Sequence, residues 1–171
     1  MLYQYPLESL ARRRATTSQL DFANEARRVL VDSDDALFEA HEHGLAIFAA
    51  NEDALSTPVR VLKNLYGGFV DVRRPKVRVV PGNPPQEPIM HVGIRTRPDY
   101  SIAVLAELRA RGARLVEECV RGRVLMLRAE APLASLLGLP SRLRTITEGT
   151  AAHSIRLVRY APMPSPTHPA A

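Results

Sequence analysis

Between Glu87 and Tyr160 the hydrophobic period of the chain switches from that of a strand to that of a helix and back, in a fixed order that constrains the fold more than any other feature. Residues 89–94 alternate as a strand. Ser101, Val104, Leu105 and Leu108 recur at helical spacing, on a helix that Asp99 caps and Gly112 stops. Residues 115–120 and 124–129 read as two strands joined through Arg121 and Gly122 in a short hairpin. Leu133, Leu136 and Leu137 mark a helical turn, Gly138 breaks it, and Pro140 restarts a helix at its first position, where the missing N–H costs nothing. Ile155, Leu157, Val158 and Tyr160 supply a last strand.

The order is βαββαβ. Two helices with apolar stripes bury them by packing on one face of a four-stranded antiparallel sheet, so the expected class is α+β and ferredoxin-like. The first half predicts a smaller, degenerate version of the same fold. Phe22, Ala26, Val29 and Leu30 share a helical face from Asp21 onward, and the run Asp32-Ser33-Asp34-Asp35 reads as a turn and a fresh helix cap before Leu37 and Phe38. Residues 46–49 read as a strand. Thr57-Pro58 reads as a helix start, and Gly67-Gly68 as its end. Residues 69–72 and 77–80 read as strand, interrupted at Pro75. Residues 1–20 have no clear period.

Pro81-Gly82-Asn83-Pro84-Pro85 is the natural linker, because these residues cannot continue a central strand. The resulting division is an N-terminal extension (1–20), an α+β region (21–80), a linker (81–86), the βαββαβ domain (87–162) and a proline-rich tail (163–171) expected to be disordered. With no Trp and aromatics at 5%, the core must be aliphatic. The net charge of +5 points to an acidic partner, with nucleic acid first among candidates. Lys63 and Lys76 are the only lysines, so arginine supplies almost all of the 23 basic residues. An Arg- and Ala-rich, Lys-poor composition is also what a GC-rich genome imposes. Cys119 is the single cysteine, which excludes an internal disulfide and a multi-cysteine metal cluster. No apolar run approaches a membrane span of ~18 residues and no secretory segment opens the chain, so a cytoplasmic protein is expected.

Several residues of the second half fall in the order of a known pattern. They are Glu87-Pro88-Ile89-Met90, Arg111-Gly112, Ala129-Glu130-Ala131-Pro132-Leu133-Ala134, Leu143-Arg144, Thr147, Gly149 and Tyr160. On these residues the stretch 87–162 resembles the last domain of translation elongation factor G, in which an A-E-x-P-L-A strand end leads into a helix closing L-R-x-x-T-x-G. A weaker likeness to that factor's third domain covers 21–80: Val61-Leu62-Lys63-Asn64-Leu65-Tyr66 precedes Val70-Asp71-Val72-Arg73-Arg74-Pro75-Lys76-Val77, with Arg73 in place of the usual Gly. The G-E-L-H-L-E segment before that helix is not recognisable. In the family a large domain that reaches the decoding centre separates the third domain from the last; here residues 80–86 fill that gap. No G-x-x-x-x-G-K-[ST] phosphate cradle occurs in the sequence, so GTP hydrolysis has no site in it.

The resemblance implies a translation-associated module that contacts the factor-binding region of the large ribosomal subunit, its rRNA and stalk-base proteins. Another translation factor or a homodimer is a further candidate partner. Arg121, Arg123, Arg142, Arg144, Arg156 and Arg159 are the candidate RNA- or ribosome-binding residues, because the planar guanidinium fork suits phosphate. Thr147 joins them as a family position that equally suits a helix C-cap partner, and Glu148 as one where Gln is usual. Thr150 stands where a basic residue is common. Glu148 and Thr150 should weaken phosphate contact, and they favour the alternative: a protein-interaction or regulatory module of the same fold without ribosome contact.

No catalytic residue, metal or cofactor is expected. His41-Glu42-His43 lacks the H-E-x-x-H spacing and reads as a solvated helix end. His91 reads as a sheet-face residue. Adjacent Glu117 and Glu118 point to opposite faces of a strand, and Glu130 suits a hydrogen-bonding or docking role.

Overall fold

In the computed structural model, which describes residues 2–164, the chain builds the same unit twice. The first unit runs β1 (Leu7–Arg13), α1 (Gln19–Arg27), β2 (Ala36–His41), β3 (Gly44–Ala49), α2 (Glu52–Tyr66) and β4 (Val70–Val72), with a short β5 (Lys76–Val77) also pairing with β1. The second runs β6 (Gln86–Thr96), α3 (Ser101–Ala110), β7 (Arg114–Arg121), β8 (Val124–Pro132), α4 (Leu133–Leu136), α5 (Leu139–Ile146) and β9 (Ala152–Pro162). The strand orders are β2-β3-β1-β4 and β7-β8-β6-β9, antiparallel throughout, and these are one ferredoxin-like topology.

Alternation decides which face is buried. Met90, Val92 and Ile94 of β6 and Leu125, Leu127 and Ala129 of β8 lie under Val104 and Leu108 of α3, Leu133 and Leu136 of α4, and Leu139 and Leu143 of α5. Leu7, Ala11, Leu45 and Ile47 play that part in the first sheet, beneath Phe22 and Ala26 of α1 and Leu55 and Leu62 of α2. The core is aliphatic, as the composition requires, and continuous across both halves.

Four elements of the first half differ from expectation. The stretch 1–20 holds β1, an inner strand whose buried positions are Leu7, Ser9 and Ala11. With β1 counted, the first half has the complete βαββαβ order. Leu37 and Phe38 lie on strand β2, not a helix, because Asp32 and Ser33 form a turn: Asp32 Oδ1 accepts from the Phe38 N–H, and Ser33 Oγ from those of Asp35 and Ala36. Helix α2 begins at Glu52 under an Asn51 cap, so Pro58 sits inside the helix. His41-Glu42-His43 is the tip of the β2–β3 hairpin, not a helix end.

The linker is a closed loop. Val80 and Gln86 exchange both backbone hydrogen bonds, 2.8 and 2.9 Å, across it. Of the expected tail, Met163 donates its N–H to Pro85 O at 2.8 Å, and residues 165–171 lie outside the described residues. No described helix is long and apolar enough to cross a membrane.

Candidate nucleic-acid interface

Beside the shared apolar core, polar contacts join the two units at the start of α2. Asn51 Oδ1 accepts from the Ala54 N–H at 2.9 Å and caps α2, while its Nδ2 donates to Ile155 O of β9 at 3.0 Å. The next residue, Glu52, accepts the N–H of Gly138, the N-cap of α5, at 2.8 Å. Asp53 lies 2.7 Å from His153 Nε2. The first turn of α2 is therefore the surface against which the second sheet edge rests.

Helices cover one face of the second sheet and leave the other open. Because Val92, Ile94, Leu125 and Leu127 are buried under the helices, the intervening His91, Gly93, Arg95, Met126 and Arg128 point to the open side. Register sets them in rows: Met126–Arg95–Ala152, Arg128–Gly93–Ser154 and Glu130–His91–Arg156. A register shift in the β6–β9 pairing sets Arg159 opposite Ile89 and turns it to the same side.

Among the expected site residues, Arg156 and Arg159 share this open face. Arg121 ends β7, and Arg123 occupies the adjoining turn, where it lines a crevice with Arg97 and Asp99. Arg142 and Arg144 lie on α5, in the helical layer on the opposite side of the sheet. The six arginines thus divide among three places. Arg142 is engaged by Glu107 at 3.3 Å, and Glu107 also takes Arg111 at 2.7 Å. Burial works against the Glu107 charge, but the hydrogen bonds and positive charges of Arg111 and Arg142 outweigh it and hold the carboxyl below its ordinary range. Arg111 also donates to Ser135 O and Leu137 O, so the Arg111-Gly112 signature ties the end of α3 to α4.

Thr147 is fully buried. Its hydroxyl donates to Leu143 O at 2.7 Å and accepts from the Ala151 N–H, which makes it the helix C-cap partner. Glu148 is exposed, with φ 52° in the left-handed region, and Gly149 follows at 76°. The Gly149 N–H reaches Arg144 O at 2.7 Å, so L-R-x-x-T-x-G spells a helix stop closed by a Schellman turn. Glu130 is a hydrogen-bonding residue on the open face: Arg114 at 2.8 Å and Arg159 at 3.2 Å converge on one carboxylate oxygen. The Arg114 hydrogen bond, opposed by desolvation and helped by Arg159, lowers its pKa.

Arg95, Arg128 and the Gly93 position were missed as a group by the sequence reading. The available signal was period two: His91, Gly93 and Arg95, and likewise Met126, Arg128 and Glu130, fall on one face of their strands. Around them is a groove of about 370 Å³. Among the described residues no three His, Cys, Asp or Glu side chains are placed to hold a metal ion.

These features define a class first: two ferredoxin-like units of identical topology, docked through a helix N-terminus. Residues 85–169 match the family model described as elongation factor G C-terminus. The second half of the chain is an elongation factor G C-terminal-like domain, a translation-factor-like module. A crystal structure of the protein ttk003000868 from Thermus thermophilus superposes with a TM-score of 0.67 at 15% identity, covering 92% of this chain and 41% of that one. The likeness is one of fold and extends over both units.

Proposed function

We propose that this protein is a non-enzymatic, translation-associated module of the cytoplasm that contacts the factor-binding region of the large ribosomal subunit, at its rRNA and stalk base. The observation that carries the reading is the family match over 85–169, in a domain whose signature residues close a helix stop and a helix–helix tie. The basic surface supports it: exposed Arg121, Arg123, Arg144, Arg156 and Arg159 offer guanidinium forks to phosphate on more than one side. The test is co-sedimentation of purified protein with large ribosomal subunits at low salt. Enrichment over a size-matched basic control, falling steeply as salt rises, is expected. Pelleting no greater than the control refutes the reading.

One observation favours a second reading, a protein-interaction module. Edge strand β7 exposes Leu115, Val116 and Val120 at 42%, 50% and 57%, and an open edge of this kind pairs with strands of other chains. A concentration-dependent dimer in light scattering, broken by Val116→Lys, supports that reading; a monomer throughout refutes dimerisation at this edge.

A further inference from the structure

We propose that the open face of the second sheet grips the sugar–phosphate backbone of double-helical RNA, centred on the groove floored by Gly93. The floor is made of small residues on neighbouring strands: Gly93 of β6 beside Ala152 and Ser154 of β9. Position 93 carries no side chain, and a Cβ there would lie 2.9 Å from Ser154 Oγ and begin to fill the floor. Arg95, Arg128 and Arg156 rise around this floor from three adjacent strands, with His91 between them. Arg114 and Arg159 extend the charge along the same face.

Two acids share this face, Glu117 in the Gly93 row and Glu130 in the His91 row, and both are already engaged. Glu117 pairs with Arg128 at 3.0 Å, and Glu130 holds both Arg114 and Arg159. Arg95 and Arg156 make no ion pair among the described residues. The first sheet presents a different open face, where Tyr5, Ala46 and Phe48 form an apolar cluster with the Arg78 guanidinium 4.9 Å from the Phe48 ring centroid.

The chemistry of the groove selects the occupant. Guanidinium groups donate hydrogen bonds and accept none, so their complement is an anion rich in acceptor oxygens. An acidic peptide on a sheet face needs apolar anchors in pockets, and Met126 is the one long apolar side chain projecting from this face into the groove. Cations on strands spaced about 4.8 Å apart instead meet a polymer with regularly repeated charge. Modules for single strands stack bases on aromatic platforms. No Phe, Tyr or Trp lines this groove. Recognition must therefore act on phosphates and 2′-hydroxyls, which is how duplex RNA is held. The choice of RNA over DNA rests on the translation-factor reading above; the surface itself does not need a ribosome.

The test uses the full chain and a fluorescein-labelled RNA hairpin duplex in anisotropy titrations across salt concentrations. A single-stranded RNA of equal charge and a DNA duplex of the same sequence run in parallel. Substituting Arg95, Arg128 and Arg156 together by alanine is expected to weaken duplex binding about tenfold or more and to lower the log–log salt slope by about 2–3. Removing Arg28, Arg60 and Arg109 instead takes the same charge from the helical layer and is expected to leave that slope nearly unchanged. Circular dichroism checks that both variants are folded. Equal losses in the two variants overturn the proposal, as does tighter binding of single-stranded RNA. Equal binding of the DNA duplex overturns the choice of RNA. Ribosome pelleting that survives the open-face triple substitution overturns this site while leaving the ribosomal reading intact.

Discussion

Asn51 does two jobs with one amide, and separating them tests how the two units are joined. Its Oδ1 caps α2, a role whose loss to alanine costs about 1 kcal/mol. Its Nδ2 reaches Ile155 O on β9, a hydrogen bond worth about another 1 kcal/mol. Asn51→Ala loses both, so roughly 2 kcal/mol of stability should go, and for a chain of this length that lowers Tm by about 4–8 °C. Asn51→Ser keeps an equally good cap but is too short to reach β9, so it should lose about half as much. Differential scanning calorimetry at neutral pH, with urea unfolding followed by far-ultraviolet circular dichroism, measures both. The double role is refuted if Asn51→Ala moves Tm by less than about 1 °C, or if Asn51→Ser costs as much as alanine.

Other outcomes follow from single contacts. A Cβ at Gly44, where φ is +131°, would lie 2.3 Å from Ala11 O, so Gly44→Ala should cost roughly 3 kcal/mol and show as a lowered urea midpoint. Glu107 is held below its ordinary 4.5 in the folded protein, so its contribution is present above the unfolded value and lost as pH falls through the lowered one. Glu107→Gln should therefore be less stable than the parent at pH 7, with the gap closing under acid in urea titrations. Glu148 takes a left-handed backbone where helix stops favour glycine, so Glu148→Gly should raise stability by about 0.5 kcal/mol after glycine's own entropy cost, read as a small rise in Tm.

The second half of the fold was legible because its buried apolar residues are large and recur at the spacing of their elements, although Asp99 lies in a 3-10 turn and does not cap α3 as expected. Val104 and Leu108 mark a helix, Leu125 and Leu127 a strand, and glycine or proline stands at each boundary. The first half hid for reasons that are equally physical. Strand β1 buries Ser9 and Ala11, which are small or polar, and Ser9 compensates by donating its hydroxyl to Arg73 O at 2.6 Å. Strand β2 followed aspartates and a serine that look like a helix cap but serve a turn. Helix α2 carried a conspicuous proline inside it, while its true cap, Asn51, also bonds a strand 104 residues away. The surface was harder still. Alternation says that His91, Gly93 and Arg95 share a side, but only strand order says that Arg128 and Arg156 flank them. The same order separates Arg142 and Arg144, on the helical layer, from Arg156 and Arg159 on the open sheet.

The central claim is that this chain addresses the site on the large ribosomal subunit that elongation factor G uses. The most direct measurement is competition. Labelled protein is bound to purified large subunits, and elongation factor G held on them by a non-hydrolysable GTP analogue is titrated in. The account predicts displacement in proportion to factor occupancy; full retention of the labelled protein on factor-saturated subunits would contradict it.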